Sequence, residues 1–346
     1  MFGTTLHVRN VNEALPLGLQ LVQATGERVS PRGQATLEVP GPVMTIYSKP
    51  QERVLFDPIR DANPFFHFFE SLWILAGADT VDLPCFFLNR LADYSDDGKR
   101  FHGAYGQRMR SAYGFDQLEQ AVGILRKDPD SRQVVVSIWH PERDLGHVAT
   151  KDTPCNDMIA FKIRGGKLNM TVFNRSNDVI WGAYGANAVQ FSVIQEYVAA
   201  RVEVEIGHYV QVSDSYHVYE DNPLWKKYAE GSFAPIGHVC NPYDMGVSAR
   251  RMFTNSNDAV LARYEMAVMV EMAERGDLEE LSRAGAMAGS ALFREVAILM
   301  LRAYLFYKAG DLETAMDVTE EILADDWRTA CHQWLRRRST ARKGAI

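Results

Sequence analysis

Pro154-Cys155-Asn156-Asp157 is followed twenty residues later by Asn174-Arg175-Ser176-Asn177-Asp178, and then by Trp181-Gly182-Ala183-Tyr184-Gly185-Ala186-Asn187. These segments offer a thiol, a guanidinium with a hydroxyl beside it, a carboxylate and an amide. A thiolate is the strongest nucleophile a protein carries near neutral pH, provided that cationic or hydrogen-bonding neighbours lower its pKa. Arg175 is the candidate for that neighbour. Beside Ser176, its planar fork also suits a phosphate, which Arg grips in a bidentate way that Lys does not.

The elements that must carry these groups are legible in outline. Thr36 to Phe56 is rich in Val, Ile and Thr around Pro40, Gly41 and Pro42, and reads as strands joined by turns. From Asn63 to Gly77, the residues Phe65, Phe66, Phe69, Leu72, Trp73 and Leu75 recur at helical spacing, which predicts a buried helix. Glu70 lies inside it, so a carboxylate is expected to project into a partly dry site. Gln117 to Leu125 suggests a second helix, Asp128 to Ser131 a turn and Val134 to Trp139 a buried strand. Met158–Ile163 and Leu168–Phe173 read as strands joined around Gly165-Gly166, Asn187–Ala200 as a helix and Tyr209–Tyr219 as a further strand. On that last strand His217 and Tyr219 are two apart, so both side chains face the same way.

The order of these motifs, from about Arg32 to about Asn222, resembles the thymidylate synthase family, which includes the pyrimidine nucleotide hydroxymethylases. The resemblance implies an α+β fold: a thymidylate synthase-like twisted mixed sheet with flanking helices. It also implies that Cys155 adds to C6 of a pyrimidine, making C5 a carbon nucleophile toward the one-carbon unit of 5,10-methylenetetrahydrofolate. Glu70 matches the position that orders water near the base and moves protons, and burial would raise its pKa toward the working pH. Tyr105 matches the tyrosine of proton transfer at C5, and Asp178 belongs to the Arg-Ser-x-Asp run that holds phosphate and folate. Arg175, Ser176 and Arg32 match phosphate ligands. Arg132 matches an arginine donated across a dimer interface, where Gln133 replaces a second one. His217 and Tyr219 match the pair that binds the sugar 3'-hydroxyl.

Asn187 matches the reader of the base, and an amide suits the N3–H and O4 of uracil, whereas a carboxylate suits cytosine. The turn that leads to it is one residue longer than the family's Gly-x-Pro-Phe-Asn. Departures bear on the product, because a methylase must exclude water and a hydroxymethylase must admit it. Asn156 stands where the family has His, Asn89-Arg90-Leu91-Ala92-Asp93-Tyr94 replaces a Trp-rich segment, and the Pro-Phe of the turn is missing. These point to hydroxymethylation of a deoxypyrimidine monophosphate, dUMP ahead of dCMP. The alternatives are methylation of dUMP to dTMP and a non-catalytic nucleotide-binding scaffold. A homodimer with shared active sites is implied, and residues 1–225 are expected to form the catalytic domain.

With 346 residues and 47% hydrophobic content the chain can bury a substantial core. Its net charge of -7 gives no general pull toward a nucleic-acid polymer. The start Met1-Phe2-Gly3-Thr4-Thr5 has no basic region before an apolar run, and no stretch is long and apolar enough for a bilayer, so a cytoplasmic protein is expected. Cys85, Cys155, Cys240 and Cys331 include no Cys-x-x-Cys pair, and are expected to be free thiols that hold no metal. Residues 226–346 read as a helical extension. Asp258–Ala273 and Leu292–Tyr307 each run toward a Gly-Asp pair, Gly276-Asp277 and Gly310-Asp311, spaced like a helical-hairpin repeat. This extension displaces the short family tail that closes over folate, although Ala345-Ile346 resembles its end. Arg336-Arg337-Arg338 reads as a solvated tail.

Overall fold

The computed structural model describes residues 3–146, 150–231, 241–284 and 288–343. Cys240 and Ala345-Ile346 lie outside the described residues. In chain order the elements are β1 (Thr4–Val8), α1 (Val11–Thr25), β2 (Glu27–Val29), β3 (Thr36–Glu38), β4 (Val43–Tyr47), α2 (Pro64–Ala76), α3 (Asp82–Phe87), α4 (Tyr105–Arg110) and α5 (Gln117–Lys127). They continue with β5 (Val135–Ser137), α6 (Pro141–Asp144), β6 (Asn156–Arg164), β7 (Lys167–Asp178), α7 (Ala188–Val202), β8 (Glu205–Tyr219) and α8 (Pro223–Glu230). Helices close the chain: α9 (Ser256–Arg275), α10 (Leu278–Ala284), α11 (Ile298–Ala309), α12 (Leu312–Glu320) and α13 (Asp325–Lys343). A π-helix over Val179–Asn187 joins β7 to α7.

The sheet is mixed, in the order β1-β4-β8-β7-β6-β5, with β3 on β8 and β2 on β3. The α+β expectation holds. Gly165 and Gly166, at φ 57 and 70, make the tight turn between β6 and β7 that needs two left-handed residues. β7 and β8 run parallel, the crossover being the π-helix and α7, and their register sets Ser176 beside Ser215 and Asp178 beside His217. β6 is antiparallel to β7 and begins at Asn156, opposite Asn174. The start of β6 and the ends of β7 and β8 therefore meet at one end of the sheet, where Glu38 of β3 faces His217 from the other side.

One face of the sheet is buried and the other is not. Leu168, Met170 and Val172 point into the core, whereas Met158, Phe173, Val212 and Met44 form a half-exposed row across four neighbouring strands. The Val134–Trp139 segment is only partly the buried strand expected: β5 is three residues long, and Val135 is 50% exposed because it points to this open face.

α2 forms as its pattern requires. Asn63 caps it by accepting from the Phe66 N–H at 3.2 Å, Pro64 fills the first turn, and Gly77 at φ 83 ends it. The C-terminal helices pack behind it. The Phe65 ring meets Tyr304 at 5.2 Å and Trp334 at 5.7 Å, Phe68 meets Trp327 at 5.1 Å, and the Tyr304 hydroxyl donates to the Phe87 carbonyl at 3.0 Å. Extension and sheet layer share one hydrophobic core. Truncating an aromatic in such a contact costs about 3–5 kcal/mol. Gly276 and Gly310 end α9 and α11 in the left-handed conformation, and Asp311 caps α12 by accepting from the Thr314 N–H at 3.0 Å. Of Arg336-Arg337-Arg338, expected as a solvated tail, Arg336 alone is exposed. The run lies on α13, whose Trp334 face is buried, so Arg337 and Arg338 pair with Asp61 at 2.8 and 2.9 Å and Arg338 stacks on Trp334 at 3.5 Å. Cys85, Cys155 and Cys331 are free. Among the described residues no helix is long and apolar enough to cross a membrane.

A buried polar joint ties the extension to the sheet layer. Arg53 pairs with Glu196 of α7, which accepts from the Met252 N–H at 2.7 Å, while Tyr243 donates to Asp326 at 3.0 Å. Burial pushes the Asp326 carboxyl up to about 7 despite Arg53. A carboxyl raised on folding stays protonated while the unfolded chain has ionised, so its contribution falls as pH climbs from the unfolded value through the folded one. Asp326→Asn should therefore gain stability relative to the parent chain between pH 5 and 7, read as the difference in urea midpoints. A pH-independent difference would contradict this.

Candidate active site

The sheet end described above assembles most of the residues singled out by sequence. Cys155 sits one residue before β6, half-buried, and a register shift after Asn156 turns the strand entry. Arg175 is pinned to this loop. Its Nε donates to the Pro154 carbonyl at 2.8 Å, its Nη2 to the Thr153 carbonyl at 3.0 Å, and its own backbone N–H to the Cys155 carbonyl at 3.0 Å. A guanidinium has five N–H donors, so donors remain for an anion. Ser176, half-buried, follows it on β7 beside Ser215.

The electrostatics of the thiol differ from expectation in their balance. Arg175 and Arg32 both pull the Cys155 pKa down, but burial outweighs them, with Asp152 and Asp157 adding to the rise. The resting sulfur is a thiol above the ordinary cysteine range. Tyr105, first residue of α4, brings its phenol to the Cys155 backbone and the Asn156 amide, and burial pushes that hydroxyl well above the usual range. Its ring lies 6.0 Å from Phe191 of α7. Asn156 is fully buried; although it lies beside the phenol, neither its Oδ1 nor its Nδ2 makes a well-formed hydrogen bond.

Glu70 approaches from α2. Its Oε2 is sealed and unpartnered while the residue as a whole keeps some exposure, and burial raises its carboxyl to about 7 against the pull of a hydrogen bond with Gln190. At the other side, Asp178 Oδ1 caps the π-helix by accepting from Ile180 N–H at 2.8 Å and Trp181 N–H at 2.6 Å, leaving Oδ2 buried without a partner. Burial raises Asp178 and lowers His217, while each charge favours its neighbour's ionised form. His217 Nδ1 is 3.1 Å from Ser215 Oγ, which donates to Glu38, and its ring meets Tyr219 edge-on at 5.3 Å. Arg32, exposed on the β2–β3 loop at φ 54, is close enough to act electrostatically on Cys155, His217 and Tyr219. A non-glycine residue in this conformation is strained and marks a constrained loop.

Asn187 ends the π-helix, buried, with its Nδ2 donating to Asn177 Oδ1 at 3.2 Å. Arg132 stands apart: it is exposed just before β5 and makes no hydrogen bond or ion pair with a described residue.

Among known proteins, a model of thymidylate synthase matches residues 26–226. The chain is 39% identical over 351 aligned positions to the deoxyuridylate hydroxymethyltransferase of Pseudomonas phage M6, covering 97% of this chain and 95% of that protein. The chain belongs to the thymidylate synthase family. A second member, the deoxyuridylate hydroxymethyltransferase of Bacillus phage SP01, is 42% identical over 214 residues, which cover 59% of this chain and 56% of that protein. The crystal structure of thymidylate synthase from T4 phage superposes with a TM-score of 0.51 at 19% identity over 62% of this chain and 79% of that one, a likeness of fold.

Several residues near this candidate site carry no sequence signal of their own. Arg60 is buried, donates from Nε to the Ile180 carbonyl at 2.8 Å and lies over the Trp181 ring at 4.2 Å, where Arg90 also lies at 4.4 Å. Burial lowers Arg60 to about 10. Asp152, which accepts from the Gly103 N–H at 2.8 Å, and Gln190 likewise reach the site only through the fold. Asn177 could have been noticed, since it lies inside the Arg-Ser-x-Asp run.

The raised thiol is directly testable. Alkylation of Cys155 by iodoacetamide should show an apparent pKa above that of ordinary cysteine, and Arg175→Gln should raise it further. A thiol that alkylates fully at neutral pH would contradict the dominance of burial.

Proposed function

We propose that this enzyme transfers a one-carbon unit to C5 of dUMP and releases 5-hydroxymethyl-dUMP. The observation that carries this reading is the set of buried polar atoms without a well-formed hydrogen bond on residues of the candidate site: both ends of the Asn156 amide, Glu70 Oε2, Asp178 Oδ2 and Gln190 Oε1. Buried polar atoms are rarely left unsatisfied, so such a set favours a site that takes up polar substrate and water. A methylase has to keep water out. The M6 and SP01 phage relatives carry the name of the same activity, which adds to the case for the uracil nucleotide over dCMP.

The Asp178 Oδ2 acceptor suits the N–H-rich edge of a folate pterin, and the Arg60–Trp181–Arg90 stack beside it suits carboxylates. When bound, 5,10-methylenetetrahydrofolate supplies carbon at the oxidation level of formaldehyde. In our reading Arg175, Ser176 and Arg32 hold the nucleotide phosphate, with Arg132 reaching in from a partner subunit. His217 and Tyr219 hold the sugar hydroxyl, and Asn187 reads the base. Cys155 Sγ loses its proton and bonds to C6; Glu70, poised near neutrality, moves protons at the carbonyl edge; Tyr105, held by its neighbours, lies where the C5 proton leaves. Asn156 holds water in place of the family's His. With the carbon transferred to C5 and tetrahydrofolate released, water would add to the resulting exocyclic methylene and give up a proton, and Cys155 would depart from C6 as the C5–C6 double bond re-forms.

The half-exposed apolar row Met44, Val212, Phe173 and Met158 is an extended patch of the kind that soluble chains cover by association. We read it as the homodimer face, with exposed Arg132 at its rim. Residues 1–225 form the catalytic unit in this reading, and 226–346 brace α2 from behind.

Incubation with dUMP and methylenetetrahydrofolate should add CH2O to the nucleotide and leave tetrahydrofolate; a gain of CH2 with dihydrofolate would make the enzyme a thymidylate synthase. Cys155→Ala should abolish both turnover and exchange of tritium from C5, and retention of exchange would end the covalent reading. Glu70→Gln should lower kcat by about 10²–10⁴-fold and remove an inflection near pH 7 from the kcat/KM profile. For the dimer, mixing inactive Cys155→Ala with impaired Arg132→Ala chains should restore activity, because one site in each hybrid then has both groups. No recovery on mixing, with dimers present, would place Arg132 outside the site.

A further inference from the structure

The amide of Asn187 does not stand alone. Its Nδ2 donates to Asn177 Oδ1 at 3.2 Å, and Asn177 Nδ2 donates in turn to Ser213 Oγ at 2.9 Å. Asn177 and Ser213 are each 2% exposed and Asn187 6%, so the relay runs without competition from bulk water. Gly182 leaves room for it: a Cβ there would sit 3.0 Å from Asn177 Oδ1 and 3.9 Å from Asn187 Nδ2. Asn177 follows Ser176 on β7, Ser213 lies on β8, and the parallel pairing of those strands holds them together. Asn187, by contrast, ends a π-helix. A π-helical turn is the usual way a helix accommodates one extra residue, and this turn is one residue longer than the family's.

From this arrangement we propose that Asn177 is the positioning residue that orients the base-reading amide of Asn187 and thereby selects uracil over cytosine. The inference rests on the dUMP reading above. With Nδ2 tied to Asn177, the Asn187 Oδ1 is left as the acceptor for N3–H, and the second Nδ2 proton is left for O4. Cytosine has an acceptor at N3 and a donor at C4, so it needs the reversed amide. Reversal would set Asn187 Oδ1 against Asn177 Oδ1, two acceptors, unless Asn177 and the Ser213 hydroxyl turned as well.

The test compares kcat/KM for dUMP and dCMP. Asn177→Leu removes the acceptor, and the preference for dUMP should fall by about tenfold, the size of one lost hydrogen bond. Asn177→Asp keeps an acceptor for Asn187 Nδ2 and should retain most of the preference. Ser213→Ala frees the far end of Asn177 and should give a smaller loss, which keeps the test informative if the Leu variant does not fold. General damage to the fold lowers both substrates together and leaves the ratio unchanged, so an unchanged ratio in folded Asn177→Leu or Ser213→Ala would overturn the proposal. A parent enzyme that does not prefer dUMP would overturn both this inference and the substrate reading on which it rests.

Discussion

The parallel pairing of β7 with β8 is the constraint on which the site depends. It sets Ser176 beside Ser215 and Asp178 beside His217, and it carries Asn177 to within reach of Ser213. A slip of one residue along this ladder would turn every one of these side chains to the opposite face of the sheet. The long ladder is held by the buried Leu168, Met170 and Val172 against the helical layer, so hydrophobic burial fixes the register and the register fixes the chemistry.

Desolvation dominates the electrostatics that result. It raises the thiol of Cys155 and the carboxyls of Glu70, Asp178 and Asp157, the last to about 6, and it lowers His217. Arginine neighbours oppose it at Cys155 and Asp157 without overcoming it. Burial thereby disfavours the charged form of each of these groups, and it leaves the Glu70 carboxyl poised close to neutrality. The extension contributes to this dryness indirectly. Trp327, Trp334 and Tyr304 cover the back of α2, the helix that presents Glu70.

Much of the site was legible because its members lie in short runs with local geometry. Arg175, Ser176 and Asp178 lie on one strand and Cys155 stands one residue before the next strand over, while His217 and Tyr219 share one face of a strand. The helical spacing of the apolar residues between Asn63 and Gly77 marked out α2. The legibility failed where partners are distant. Arg60 and Arg90 meet at Trp181, and Gln190 meets Glu70, only through packing between elements that no periodicity connects. The same holds for Arg337 and Arg338, whose partner Asp61 is distant in sequence.

From the residues alone come the candidate thiol, the arginine suited to a phosphate, the resemblance to the family and the helical character of the extension, since each is written in side-chain type and short-range spacing. The tertiary structure decides the rest: the raised thiol, the tethered amide of Asn187, the open sheet face and the bracing of α2. The division has a physical cause. Composition and period specify what a segment is, whereas desolvation and hydrogen-bond direction depend on what the fold places against it.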